Sequence, residues 1–161
     1  MKKLSTIFLI VIGSLLYGHC QMPCGIFDDA VRIVQLKEDV ETIRKGMNKI
    51  NDLSKFNKGL QDMNQLVRWV NTKESHAEKI QSTVSDYFLT QRVKHRSPNQ
   101  KGIEKYIKQV TLLHQIMIAS MKCKQTVDEK FCDKIIELID RFSVLYFDEH
   151  GLKHLQEISD N

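Results

Sequence analysis

The sequence predicts an all-α protein, an antiparallel up-and-down four-helix bundle, and three observations lead there. Only 7 Gly and 2 Pro occur in 161 residues, of which 42% are hydrophobic and 27% charged. A many-turned β-sandwich, a collagen-like chain or a disordered chain would need a different balance. Apolar residues recur at three- and four-residue steps in four segments, and no stretch alternates as a half-buried strand would. The length suits one ordinary domain with a core of its own.

The first element lies outside the fold. Lys2 and Lys3 precede an apolar or small run over residues 4–17, and Gly18 follows. A basic start, a short apolar stretch and a small residue describe a secretory signal peptide, residues 1–18. The run falls short of the roughly 20 residues a transmembrane helix needs. The expected mature chain, residues 19–161, is a single exported domain, periplasmic or extracellular, with no stable membrane anchor. Losing Lys2 and Lys3 leaves 22 basic side chains against 20 acidic ones. That excess is too small and dispersed for nucleic acid. The one basic cluster, Arg92, Lys94, His95 and Arg96, reads as a solvated helix end.

Four helices follow. Ile26, Ala30, Ile33, Val40, Ile43, Met47 and Ile50 form the first stripe, weakened by Gly46 and broken around Asn51, Asp52, Ser54 and Asn57. Leu60, Met63, Leu66, Val70, Ala77, Ile80, Val84 and Tyr87 form the second, which Ser97-Pro98-Asn99 ends by turn chemistry. Trp69, one residue off that stripe, is expected to pack. The third carries Ile103, Tyr106, Ile107, Val110, Leu113, Met117 and Met121; the fourth carries Phe131, Ile135, Leu138, Ile139, Phe142 and Leu145. Thr126 is the expected N-cap of the fourth. Beyond Asp148 the chain turns polar, and residues 148–161 are expected to be a loose tail that includes His150 and His154. His114 is expected to pack within the bundle. Cys123 and Cys132 flank the last connection, either paired after export or as free buried thiols.

The chemistry gathers at the expected new N-terminus, His19-Cys20-Gln21-Met22-Pro23-Cys24-Gly25. An N-terminal amine and the next amide nitrogen chelate a metal in a five-membered ring. The thiolates of Cys20 and Cys24 complete two nitrogens and two sulfurs, and the His19 imidazole is placed to bind axially. Divalent nickel and copper favour such tetragonal sets, whereas zinc prefers tetrahedral ones. Pro23 and Gly25 bracket Cys24 with residues suited to an unusual backbone. Two cysteines four apart in an exported protein also make a simple disulfide.

With its continuation Ile26-Phe27-Asp28, this segment resembles the N-terminal metal-binding hook of the nickel-containing superoxide dismutases, H-C-x-x-P-C-G followed by an aromatic residue and Asp. Lys73-Glu74-Ser75-His76-Ala77, Asp86-Tyr87-Phe88, Lys105-Tyr106 and Leu113-His114 are also similar to that family, so the resemblance covers most of residues 19–145. It implies a homohexamer of four-helix bundles that disproportionates superoxide to dioxygen and hydrogen peroxide, with nickel cycling between its divalent and trivalent states. It implies His19, Cys20 and Cys24 as both ligands and catalytic residues. Pro23, Phe27 and His76 would stand beside the metal or along the substrate's approach.

Three positions depart from the family. Phe27 stands where Tyr is common, and Gln21 where Asp is frequent. Gln35 stands where an acid orients the axial histidine; an amide accepts the same hydrogen bond but draws less charge onto the imidazole. Two other functions are compatible with the residues: a non-catalytic exported helical module with a Cys20–Cys24 disulfide, and a nickel- or copper-binding carrier.

Overall fold

The computed structural model describes residues 28–55 and 59–160, and these are all-helical, with no strand among them. Five α-helices follow in order: α1 Asp29–Ser54, α2 Leu60–Ser82, α3 Ile103–Gln125, α4 Lys130–Tyr146 and α5 Glu149–Ser159. A π-helical segment, Thr83–Arg92, continues α2 without a break. Helix α1 packs on α2, α2 on α3, α3 on α4, and α4 back on α1.

The core is built from the stripes, with two changes of register. Ile33, Leu36, Val40, Ile43 and Met47 of α1 are fully buried, as are Ala77 and Ile80 of α2 and Ile135, Leu138, Ile139 and Phe142 of α4. On α3, however, the buried line is Leu112, Leu113, Ile116, Ala119 and Cys123, while Ile107 and Met121 are exposed. This helix is apolar on more than one face, so periodicity alone does not choose the inward one. The second stripe begins later than expected: Leu60 and Met63 are exposed, as is Val67 beside the stripe, and Trp69 is only half-buried. Ser120 and Ser143 enter the core by donating to the carbonyls four residues back, Ile116 and Ile139.

The second helix does not run on as regular α-helix towards Tyr87. At Thr83 it widens to a π-helix, closed by the Val93 amide donating to Phe88 five residues earlier at 2.8 Å. Gln91 Nε2 and Thr90 Oγ1 also donate to carbonyls five residues back, on Asp86 and Ser85. Val84, Phe88 and Val93 are all buried, and their steps of four and five suit a helix wider than α. The widening carries Arg92 to α1.

Polar contacts tie the helices together. Lys37 pairs with Asp140 at 2.7 Å and Arg44 with Asp133 at 2.9 Å, both between α1 and α4. Gly46 marks the close approach of α1 and α2, where an added Cβ would meet the Lys73 Cβ at 3.4 Å. Thr126 is not the N-cap of α4. It ends α3, its hydroxyl accepts from the Asp128 amide, and Asp128 Oδ1 accepts from Lys130. The carboxylate reaches the first turn because Asp128 stands two residues closer to it than Thr126.

The expected loose tail is a helix. Asp148 caps α5 by accepting from the Gly151 amide at 2.8 Å, and Leu155 is buried against α1. A Cβ on Gly151 would stand 2.7 Å from Phe147 Cδ1, so the absence of a side chain permits the sharp return from α4. Leu152, Leu155 and Ile158, spaced three apart, supply the apolar stripe within this polar sequence.

Candidate metal centre

The chain enters α1 through two consecutive aspartates, each fastened to other elements. Asp28, the N-cap, divides its carboxylate: Oδ1 accepts from the Ala30 amide at 2.8 Å, and Oδ2 bonds His154 Nε2 of α5. Burial pushes this carboxyl up, but its bonds to His154 and the Ala30 amide outweigh burial and hold it below the usual carboxylate range.

Asp29 gathers three donors. Tyr87 donates to its Oδ1, Tyr146 to its Oδ2 at 2.7 Å, and Arg92 Nη2 to the same Oδ2 at 2.6 Å. The π-segment, α4 and α1 therefore meet on one carboxylate. Burial, and then the bond to Asp29, push the Tyr87 hydroxyl well above its ordinary range and Tyr146 up to about 12. Beneath them Phe88, Phe142 and Tyr146 pack ring on ring, with centroids 5.1–5.9 Å apart. Beside them opens a cleft of about 260 Å³ lined by Arg92, Lys94, Arg96, Lys105, Tyr106 and Tyr146.

The predicted ligands His19, Cys20 and Cys24, with Pro23 and Phe27, lie outside the described residues. Cys24 precedes Asp28 by four positions in the sequence. His76 lies elsewhere, its Nδ1 2.5 Å from Asp39 Oδ1 of α1. That pair is about 16 Å along α1 from Asp28. Gln35 is exposed and accepts from Arg32 at 2.9 Å; Asp39, one turn further, supplies the nearest α1 acid facing α2.

Other sequence expectations change. His114 is exposed rather than packed, because α3 turns Leu113 and Ile116 inward instead. His154 is not a solvated tail residue, since α5 folds back and brings it to Asp28. Arg92 is not a plain solvated helix end, since the π-segment delivers it to Asp29. Cys123 and Cys132 are free and fully buried, and interaction with the Cys132 thiol, together with burial, raises Cys123. Tyr146 and Asp29 went unnoticed in the sequence; their residue types were visible, but 117 positions separate them.

Among the described residues, no group of three or more His, Cys, Asp or Glu side chains is arranged to hold a metal. The two described thiols are sealed in the core against Met47 Sδ, with Cys132 Sγ 3.8 Å from it. The residue types at 19–24, one histidine and two cysteines, are chemically suited to nickel. They precede the fastened start of α1 directly.

Comparison with curated proteins and with solved structures gives no significant match. The family model for nickel-containing superoxide dismutase matches residues 16–150, a span that includes the His19–Gly25 segment and all of α1 to α4. The chain therefore belongs to the nickel-containing superoxide dismutase family, as an oxidoreductase that uses nickel to disproportionate superoxide.

Proposed function

We propose that the working enzyme begins at His19 after removal of residues 1–18, and that it acts in the periplasm or outside the cell. The His19 amine and imidazole, the Cys20 amide nitrogen and thiolate, and the Cys24 thiolate would hold the metal. Nickel so bound supplies one-electron oxidation and reduction of superoxide, because thiolate and amide donors bring its trivalent state within reach. The observation that carries this reading is the ligand segment itself, inside the family match and four residues from the fastened Asp28.

The rest of the chain anchors, excludes and attracts. Pro23 shapes the ligand loop, and Phe27 provides an apolar wall on the substrate's approach without a hydroxyl to donate. His76, bonded to Asp39, ties α2 to α1 and so supports the scaffold rather than the approach to the metal. The basic cleft lined by Arg92, Lys94, Arg96 and Lys105 offers a positive field to an anionic substrate. The ring of contacts α1–α2–α3–α4 supports an antiparallel four-helix bundle.

The assembly is a homohexamer in this reading. Ile107, Val144 and Leu145 line an open apolar cleft of about 610 Å³ between α3 and α4, and Val144 is 69% exposed. Such a surface suits burial against another copy, and sedimentation of the processed chain tests it.

The deciding experiment measures intact mass, nickel content and superoxide turnover of the exported protein. A chain starting at His19, with about one nickel per subunit and turnover lost in Cys24→Ser, is expected. A retained leader or an oxidised Cys20–Cys24 pair without nickel would leave a non-catalytic module. Bound nickel without turnover would indicate a carrier.

A further inference from the structure

Of the basic residues at the end of the π-segment, Arg92 is committed to Asp29, to which it donates at 2.6 Å. Lys94 and Arg96 have no such commitment. With Lys105 of α3 they line a cleft of about 260 Å³ to which no Asp or Glu contributes. Every Asp and Glu of the chain falls among the described residues. None of them pairs with Lys94, Arg96 or Lys105; Lys94 Nζ donates to the Gln91 carbonyl at 2.8 Å. Three like charges gathered without a counter-charge repel one another, and an anion held among them removes that cost.

Backbone contacts set the walls of this cleft. Val93 is buried, and its amide donates to the Phe88 carbonyl at 2.8 Å, so the chain leaves the π-segment on a fixed course. The Gln100 amide donates to the Ser97 carbonyl at 3.0 Å, and the Ser97 amide donates to Gln100 Oε1 at 2.9 Å. That turn brings Arg96 and the start of α3 to the same cleft. Gly102 closes it with a φ of 88°, a left-handed conformation that glycine adopts without steric cost. It lines the cleft as the N-cap of α3, and no side chain caps that first turn. The positive end of a helix of 23 residues is thereby added to the three cations. His95 turns instead onto Tyr106, with ring centroids 5.6 Å apart.

Charge and donor count select the class of ligand. A monoanion such as superoxide offsets one of the three charges and needs only a field to guide it. A tetrahedral dianion offsets more and offers several acceptor oxygens to ammonium and guanidinium donors at once. We propose that the cleft between the loop of residues 93–102 and α3 is a binding site for a multiply charged oxyanion of the phosphate class, held by Lys94, Arg96 and Lys105. All of these residues are described, and the metal ligands take no part. Holding such an anion goes beyond steering superoxide, which the same field also does.

The test titrates inorganic phosphate into the exported holoenzyme by calorimetry, at constant ionic strength set with chloride. Saturable binding is expected, displaced by sulfate and not by nitrate. Arg96→Gln should weaken it about tenfold, as the loss of one charge-assisted hydrogen bond does, and Arg96→Lys should recover part of the loss. Replacing Lys94, Arg96 and Lys105 together by Gln should abolish it. Replacing Lys45, Lys49 and Lys79 by Gln removes the same charge from exposed residues that do not line the cleft, and should leave phosphate binding unchanged. Thermal unfolding in the absence of phosphate checks that each variant is folded. Vesicles of phosphatidic acid distinguish the sources of the phosphate group. Pelleting that the cleft variant abolishes identifies a lipid headgroup, and phosphate binding without pelleting identifies a free anion. Absence of saturable phosphate binding overturns the proposal. So does binding that survives in the cleft variant, or equal weakening in both triple variants, which would show net charge alone at work.

Discussion

Lys73 shows how much a single side chain carries in this molecule. It is 3% exposed, yet its ammonium donates to the carbonyls of Cys123 and Lys124 at 2.7 and 2.6 Å and pairs with Glu74 at 2.9 Å. The last turn of a helix leaves carbonyls without intrahelical partners, and a cation is favoured there. Here the cation arrives from α2, fifty residues earlier. Replacing Lys73 by Met fills the same space but strips those carbonyls of their donor. The expected loss is about 2–4 kcal/mol of stability, measured by denaturant unfolding. A loss below about 0.5 kcal/mol would show that water replaces the ammonium without cost. The sequence displayed Lys73 only as part of a short motif; its burial and partners required the packing of α2 against the end of α3.

At the scale of elements, Asp29 joins α1, the π-segment and α4 through groups that titrate. Tyr87 and Tyr146 both ionise later in the folded state than in the unfolded one, Tyr146 at about 12 against an ordinary 10.0. A folded-state pKa raised in this way means that the native protein binds the proton more tightly. The stabilisation is complete below pH 10 and is lost as pH rises from 10 towards 12. Denaturation midpoints should therefore fall across that window, and the fall should be shallower in Tyr146→Phe. Equal slopes for the two proteins would show that Tyr146 does not contribute. The π-segment makes this junction possible by turning both Tyr87 and Arg92 towards Asp29. An α-helix of the same sequence would space them differently, and a stripe read at 3.6 residues per turn does not mark where the helix widens.

Over the whole molecule, the distribution of charge matters more than its sum. The formal net charge is only +4, but Arg92, Lys94, Arg96 and Lys105 converge on one cleft that adjoins the Asp29 junction. A small anion approaching that end meets a positive field, and steering of this kind raises association rates by 10-fold or more at low salt. Replacing Lys94, Arg96 and Lys105 together by Gln should lower kcat/KM for superoxide about tenfold at low ionic strength. Nickel content should not change, and the difference should shrink as salt is added. Stopped-flow decay of superoxide across a salt series checks this. A salt-independent deficit would show that the lysines and arginine act through structure instead.

By itself the sequence determined the helical class and most of the inward residues of α1 and α4, and it is the source of the proposal that residues 19–24 hold the metal. Those properties are local: helical periodicity is written in steps of three and four, and a chelating N-terminus needs only neighbouring atoms. Tertiary structure decided which face of α3 points inward, where α2 widens, and that residues 149–159 fold back as α5. It also decided that His154 meets Asp28 and Tyr146 meets Asp29, across 126 and 117 positions. Such meetings depend on how helices dock, and docking is a property of surfaces that residues far apart in the chain make together.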